Sequence, residues 1–167
     1  MKSHYLLAFA CLCVVFHTIN SQENLASDVR ASQSTTNRHL AQADNAIDGN
    51  NDCNFSHGSC SKTRRQRNPW WRVDLGRRFH VFVVRITSGC RRSESLNGAV
   101  IRVGDSLEDD GNTNSICANI TAISRGQPTA FSCASVGLIG RFVNIILPTR
   151  RRSLTLCEVE VFGGPAP

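Results

Sequence analysis

Short strand-like segments separated by turn residues constrain what this 167-residue chain can fold into. In Cys157–Val161 apolar side chains alternate with Glu158 and Glu160, which is the period-two pattern of a strand with one buried face. Segments of alternating or β-branched character are Trp71–Leu75, Val81–Thr87, Val100–Val103, Phe142–Leu147 and Leu156–Phe162. Turn-forming clusters at Asp48–Asp52, Asp109–Asn112 and Arg125–Pro128 separate them, and no segment has a sustained helical period. The pattern predicts an all-β antiparallel sandwich or barrel.

The N-terminal residues have the composition of a secretory signal peptide. Lys2 precedes an apolar run, Leu6–Phe16, and polar residues follow. A membrane anchor is the alternative, but the run is about half of the roughly 20 apolar residues that a spanning helix needs. We expect cleavage between Asn20 and Gln22, which leaves residues 22–164 as one domain and 165–167 as a frayed tail. The protein is therefore predicted to be secreted and extracellular, with no membrane span.

Cysteine content predicts a disulfide framework. Removal of the leader takes away Cys11 and Cys13 and leaves six of the eight cysteines, an even number. Six cysteines allow fifteen pairings, so counting leaves the connectivity open. The spacing Cys53-x3-His57-x2-Cys60 also fits metal ligands, but an oxidising compartment favours disulfides over zinc.

Two glycosylation sequons fit a secreted surface. Asn119-Ile120-Thr121 is expected to carry glycan on Asn119. Asn54-Phe55-Ser56 is a second formal match, in a crowded cysteine-rich segment.

Basic residues dominate three loops. The formal net charge is +6, or +5 without Lys2. The clusters are Lys62, Arg64, Arg65 and Arg67; Arg91–Arg92; and Arg150–Arg152. Arginine forks suit sulfate, phosphate or carboxylate, although charged loop residues often only solvate a surface. A signal peptide argues against nucleic acid as the partner.

The residues of general acid, base and nucleophilic catalysis do not form a recognisable constellation. His39, His57 and His80 are isolated from any serine or cysteine motif, and no pair of carboxylates is distinguished as a glycosidase pair. The chain is predicted not to be an enzyme. Hydrolase activity is the weakest of the alternatives.

A glycine turn offers oxygen ligands to a hard cation. In Asn45–Asn50, Asp and Asn side chains and backbone carbonyls surround Gly49. Calcium prefers six to eight such oxygens, but an Asp-Gly-Asn triplet also forms plain turns. The local sequence leaves both interpretations open.

Five separated motifs resemble one known family. They are Asn45–Asn50 (NAIDGN), His57–Cys60 (HGSC), Asn68–Leu75 (NPWWRVDL), Leu96–Ala99 (LNGA) and Leu156–Val161 (LCEVEV). In this order and spacing they closely resemble the F-type lectins, or fucolectins, from about Asn24 to Gly163. The resemblance implies a discoidin-like jelly-roll β-sandwich of eight strands with a shallow site for terminal L-fucose among the loops at one end.

The same resemblance implies a structural calcium ion and two disulfides. The calcium ligands, some through backbone carbonyls, correspond to Asn45, Asp48, Asn50, Ser59, Cys157 and Glu158. The family's disulfides correspond to Cys60–Cys157 and Cys117–Cys133. Cys53 and Cys90 have no counterparts in the family pattern, and parity predicts that they pair with each other.

The sugar site departs from the family pattern. Lys62 stands where the family has a histidine, Ser88 or Gly89 where it has a first arginine, and Ser95 where it has a second. The family's adjacent cysteine pair is absent, and Arg91 and Arg92 stand near its place in the sequence. Arg91 and Arg92 are expected either to rebuild fucose binding or, with Lys62 and Arg64, to favour an anionic ligand.

Two functions follow from the resemblance. The first is a calcium-containing lectin that binds cell-surface or microbial glycans, fucose by family default, in extracellular and innate immune recognition. The second is a lectin-fold protein whose altered site binds anionic glycans or protein partners through a basic loop face. Family members often form trimers or larger arrays, so a homotrimer or higher homo-oligomer is a further expectation.

Overall fold

Eight strands form the fold in the computed structural model, which describes residues 23–148 and 151–167. The predicted signal peptide and Arg150 lie outside the described residues. The strands are β1 (Arg30–Gln33), β2 (Ser61–Lys62), β3 (Trp70–Ser88), β4 (Val100–Gly104), β5 (Ser115–Asn119), β6 (Thr129–Ser132), β7 (Leu138–Ile146) and β8 (Thr155–Pro165). All pairings between these strands are antiparallel, which confirms the predicted all-β sandwich.

Strand β3 takes part in both layers of the sandwich. Its first part, Trp70–Asp74, pairs with β1 on one side and β7 on the other, and β4 and β5 extend this layer beyond β7. Its last part, Val83–Ile86, lies between β6 and β8, and β2 pairs with β8. One strand therefore connects the two layers.

The sequence prediction of separate strands at Trp71–Leu75 and Val81–Thr87 is wrong, because they are parts of one strand of 19 residues. The polar segment Gly76–Arg78 has the composition of a turn. Gly76 has a φ of 78°, which glycine adopts without strain, so the strand bends there with a shift in register and does not end.

Alternating residues of both layers form the core. Trp71, Val73 and Leu75 point inward from the first part of β3, and Val84 and Ile86 from its last part. Buried residues of the neighbouring strands complete the cluster: Ile101, Val103, Val143, Ile145, Val159 and Val161. The buried face of β8 is the one that the sequence alternation predicted.

The two ends of the described chain meet at β8. The main-chain N–H of Leu25 donates to the Val161 carbonyl at 2.8 Å, and the Asn24 side chain accepts from the Val161 N–H at 2.9 Å. Pro165 still pairs with Phe79, so the tail predicted to be frayed at 165–167 is in β8 through Pro165. Only Ala166 and Pro167 lie beyond the strand.

Four short 3-10 helices lie in the connections, at Ala43–Ala46, Phe55–His57, Arg92–Glu94 and Glu108–Gly111. None of the helices in the described part of the chain has the length and apolar character to cross a membrane. The first helix is attached to the core, because the indole Nε1 of Trp71 donates to the Ala43 carbonyl at 2.9 Å. This bond joins β3 to the segment that leads into the Asp48 turn.

We expect Trp71→Phe to lower the free energy of unfolding by about 1–3 kcal/mol beyond the packing that it loses, because the buried Ala43 carbonyl would have no donor. Urea denaturation measures the change. Trp70→Phe is the matched control, since Trp70 is only partly buried and its indole makes no hydrogen bond among the described residues. Equal losses for the two variants would contradict the role given to the Trp71–Ala43 bond.

Candidate functional site

A buried ion pair lies where the loops meet. Lys62, at the end of β2, places its Nζ 2.8 Å from Oε1 of Glu94, and the Glu94 side chain is only 2% exposed. The other carboxylate oxygen of Glu94 accepts from the Arg91 main-chain N–H at 3.2 Å. One carboxylate thus joins β2 to the loop between β3 and β4.

The Glu94 side chain packs against Gly89, in the same loop as Arg91 and Arg92. A Cβ added at Gly89 would collide with the Glu94 side chain, so a glycine is required beside this carboxylate. Ser88 is fully buried, and its hydroxyl makes no hydrogen bond within the described residues. Ser88 thus has no exposed surface in this structure, and its assignment as a sugar-binding residue stays a prediction.

Three of the remaining predicted sugar-site residues, Lys62, Arg91 and Arg92, line two clefts. The first, which we call the Phe55 cleft, has a volume of about 380 Å³. It is lined by Asn37, Arg38, Leu40, Phe55, Ser56, Lys62 and Arg91. Nζ of Lys62 lies 4.4 Å from the centre of the Phe55 ring, and the Arg91 guanidinium donates to the Ser56 hydroxyl at 3.1 Å. An apolar surface and several polar groups thus face one opening.

The second cleft, which we call the basic cleft, has a volume of about 560 Å³. It is lined by Lys62, Arg65, Arg92, Ser93, Arg151, Arg152 and Ser153. Lys62 lines both clefts. Ser95 lines neither of them; its main-chain carbonyl accepts a hydrogen bond from Arg152. Arg64 also lies outside both linings, where its Nε donates to the Thr36 carbonyl at 3.1 Å.

The predicted calcium ligands meet near the start of β8. The Gly49 N–H donates to Oε2 of Glu158 at 3.1 Å, and the Asn50 N–H donates to Oδ1 of Asp48 at 2.9 Å. Gly49 has a φ of 80°, a conformation that favours glycine and forms the turn over Glu158. The structure therefore brings the Asp48 turn against the C-terminal strand.

Glu158 is a buried carboxyl, 1% exposed, with no Lys, Arg or His in an ion pair with it among the described residues. Burial, together with the nearby charges of Asp48 and Glu160, raises its pKa from 4.5 to about 8, although hydrogen bonds from the N–H groups of Gly49 and Asn50 act in the opposite direction. A cation beside Asp48 and Glu158 would remove this penalty.

The other donors expected for calcium are oxygens of neutral groups. Asn45 uses its amide NH₂ on the carbonyls of Leu40 and Gly58, at 2.7 and 2.8 Å, so its side-chain oxygen remains available as an acceptor. Ser59 is buried and donates through its hydroxyl to the Asp52 carbonyl. No group of three His, Cys, Asp or Glu side chains in residues 23–148 and 151–167 is placed to hold a metal. A cation would depend on amide and main-chain oxygens as well as the two carboxylates, a donor set that fits calcium.

Within the described part of the chain three disulfides connect the loops, in the pairs Cys53–Cys90, Cys60–Cys157 and Cys117–Cys133. These are the expected pairs, including the one inferred from parity. Cys53 and Cys60 are consumed in them, which excludes the zinc-like interpretation of Cys53-x3-His57-x2-Cys60. His57 instead lies 2.6 Å from the Asp52 carboxylate, and hydrogen bonds from the Asn54 N–H and His57 lower the pKa of Asp52.

The two sequons differ in their surroundings. Asn119 is exposed at the end of β5, so its glycosylation stays a prediction. Asn54 is partly buried, and its side chain accepts from the Ser56 N–H and donates to His57.

Sequence reasoning missed Glu94 and Phe55. A glutamate among arginines has the composition of a solvated loop, and only the tertiary contacts bury it. Phe55 lies next to the recognised HGSC motif, but a single phenylalanine carries no periodic signal.

Comparison with known proteins places this geometry in a family. A family model described as a NedA-like, galactose-binding domain matches residues 45–145. The fucolectin of Anguilla anguilla is 44% identical over 146 residues, which cover 84% of this chain and 91% of that protein. Among solved structures, the fucolectin from striped bass (Morone saxatilis) serum has a TM-score of 0.82 at 45% identity, with 88% of this chain covered. This chain spans 49% of the striped bass chain.

A more distant structure shares the fold. The lectin domain of lectinolysin, solved in complex with Lewis B antigen, is 26% identical with a TM-score of 0.70 and covers 85% of this chain and 97% of that domain. The antiparallel sandwich and the matched segment define a β-sandwich protein of the galactose-binding-domain class.

The chain belongs to the F-type lectin, or fucolectin, family. Its relatives are lectins rather than enzymes, which confirms the prediction of a binding protein without catalytic activity.

We expect Lys62→Met to lower the free energy of unfolding by about 3–5 kcal/mol, because it leaves the buried Glu94 carboxylate without a counter-charge. Denaturant titration measures the loss. The double variant Lys62→Met/Glu94→Gln should recover most of it, since the buried charge is removed as well.

Arg30→Met is the matched control for this experiment, because Arg30 pairs with Asp44 in an exposed position and such pairs contribute about 1 kcal/mol or less. A Lys62→Met variant as stable as Arg30→Met would contradict the account of Glu94.

Proposed function

We propose that this protein is a secreted glycan-binding lectin that holds terminal L-fucose or a related neutral sugar in the Phe55 cleft. The observation that carries the proposal is the composition of this cleft. Phe55 and Leu40, which is 57% exposed, offer apolar surface beside the polar groups of Asn37, Ser56 and Arg91. Sugars present both C–H faces and hydroxyls, and ligand sites combine apolar walls with a few placed polar groups.

The hydrogen-bonding groups of the cleft suit hydroxyl ligands. Lys62 uses one of its three N–H donors on Glu94, and Arg91 has further guanidinium donors beyond the one on Ser56. In the proposed site these groups would take the place of the histidine and arginines of the family pattern. The rebuilt site therefore has donors, although none of them stands at the two expected arginine positions.

The relatives support fucose as the first sugar to test. Several are named fucolectins, and lectinolysin's lectin domain was solved with Lewis B antigen. These names describe those proteins, and for this chain they guide the choice of ligand.

Calcium is part of the proposal as a structural ion. Asp48 and Glu158 would supply its carboxylates, and oxygens of Asn45, Asn50, Ser59 and Cys157 its neutral ligands. The burial of Glu158 without a cationic side chain supports this assignment. When bound, the ion would offset the carboxylate charges and hold the Asp48 turn against β8.

An extracellular role in recognition, including innate immune recognition, completes the proposal. Three disulfides and the predicted leader support secretion, and one relative comes from fish serum. Assembly into a homotrimer or larger array would multiply weak sites by avidity and stays a prediction.

We expect the mature protein with calcium to bind Lewis B and other fucosylated glycans on an array, with signal that barely changes between low and physiological salt, because neutral hydroxyls are recognised. Phe55→Ala should weaken binding about tenfold or more by removing the apolar wall. Phe82→Ala is the matched control, since Phe82 is exposed on β3 and lines neither cleft. Silence of the wild-type protein on fucosylated glycans at both salt concentrations would refute fucose recognition. It would favour the alternative of a lectin fold that contacts other partners.

We expect calcium to raise the melting temperature of the wild-type protein. We also expect Glu158→Gln to be at least as stable as wild type without calcium and less stable than wild type with it. With calcium chelated, Glu158→Gln should be at least as stable as wild type, because the amide has no charge to bury beside Asp48. With calcium at about 100 times its dissociation constant, wild type gains about 2.7 kcal/mol and the variant loses most of this gain. Differential scanning calorimetry with EDTA or calcium measures both, with the exposed Glu108→Gln as control. A melting temperature that is insensitive to calcium in the wild type would exclude the structural ion.

A further inference from the structure

The basic cleft carries positive charge that the protein does not compensate. Within residues 23–148 and 151–167, none of Arg65, Arg92, Arg151 and Arg152 forms an ion pair with a carboxylate. Lys62 is the fifth cation of the lining, and Glu94 neutralises it. Four guanidinium groups around one opening repel each other, so an anion is the ligand that would relieve the repulsion.

Main-chain carbonyls hold two of these guanidinium groups in place. Nε of Arg65 donates to the Arg151 carbonyl at 3.2 Å, and Arg152 donates to the carbonyls of Ser95 and Asn97. A carbonyl fixes the direction of a guanidinium without cancelling its charge, and each group keeps further N–H donors. Less conformational freedom is then lost when a ligand binds.

The form of the donors favours a sulfate group. Planar guanidinium forks bind oxyanions through two parallel hydrogen bonds, and the hydroxyls of Ser93 and Ser153 line the same cleft. A volume of about 560 Å³ is within the range of ligand sites for molecules of sugar size.

We propose that the basic cleft is a second site that binds the sulfate groups of a sulfated glycan. The choice of a glycan rests on the proposed lectin function and on Lys62, which lines both clefts and so places the sulfate site beside the neutral-sugar site. A chain of sulfated sugars can then extend from one cleft to the other. The Arg92 and Arg151 side chains are exposed and carry no hydrogen bond to the protein among the described residues, so they can be changed without disturbing the fold.

The test is isothermal titration calorimetry of the mature, oxidised protein with a size-defined heparin-derived hexasaccharide at low and at physiological ionic strength. Its chemically desulfated counterpart is the comparison ligand. We expect the sulfated ligand to bind, the desulfated one to bind at least about tenfold more weakly, and binding to weaken as salt rises.

The double variant Arg92→Ala/Arg151→Ala should weaken binding of the sulfated ligand about tenfold or more. Arg77→Ala/Arg125→Ala removes the same charge from exposed residues outside both clefts and should change it little. Arg92→Lys/Arg151→Lys keeps the charge without the fork and should recover only part of the affinity. Equal binding by wild type and the Arg92→Ala/Arg151→Ala variant would overturn the proposal. Sialic acid oligomers and duplex DNA of equal charge test the specificity for sulfate. If either binds as tightly as the sulfated hexasaccharide, the proposal is also overturned, because the site would then bind polyanions in general.

The proposals for the two sites can be refuted independently of each other. Phe55→Ala should keep its affinity for the sulfated hexasaccharide and lose its affinity for Lewis B. Arg92→Ala/Arg151→Ala should keep its affinity for Lewis B and lose its affinity for the sulfated hexasaccharide. If wild type ignores Lewis B but binds the sulfated hexasaccharide through Arg92 and Arg151, the neutral-sugar proposal fails and the sulfate site stands.

Discussion

The carboxylate of Glu94 is the group on which the arrangement of the loop end depends. A charge this deeply buried must be compensated, and Lys62 does so from strand β2 while the Arg91 N–H does so from the loop that carries Glu94. The same contact places Lys62 between the Phe55 cleft and the basic cleft. The two clefts differ in character. The Phe55 cleft combines apolar and polar groups, whereas the basic cleft has four guanidinium groups that form no ion pair among the described residues.

The scaffold separates stability from recognition. Strand β3 connects both layers and carries Trp71 into the core, whereas the loops that form the clefts are attached to it and to β8 by disulfides and hydrogen bonds. The Cys53–Cys90 disulfide links the segment before Phe55 to the segment before Arg91. Residues on both walls of the Phe55 cleft are thereby held together although 35 positions separate Ser56 from Arg91. Substitutions in the loops can therefore change which ligand is bound without changing the fold.

Much of the fold could be predicted because alternation is a local property of the chain. Cys157–Val161 shows the apolar face of its strand directly. The family resemblance predicted the disulfides Cys60–Cys157 and Cys117–Cys133 and the meeting of Asp48 with Glu158, and parity predicted the third disulfide. The bend at Gly76 could not be predicted, because Gly-Arg-Arg has the composition of a turn and only pairing with β7 and β8 keeps it in a strand. The burial of Ser88 and Glu94 was missed for a similar reason. Both residues are polar, and their burial depends on contacts between loops that are distant in sequence.

Amide chemical-shift mapping of the ¹⁵N-labelled mature protein, titrated with a Lewis B oligosaccharide in calcium, tests the central claim that the loop end recognises glycans through the Phe55 cleft. The account predicts that the largest shifts fall on Asn37, Leu40, Phe55, Ser56 and Arg91, the residues that line this cleft. Shifts confined to the strand faces, or no shifts at saturating sugar, would contradict it.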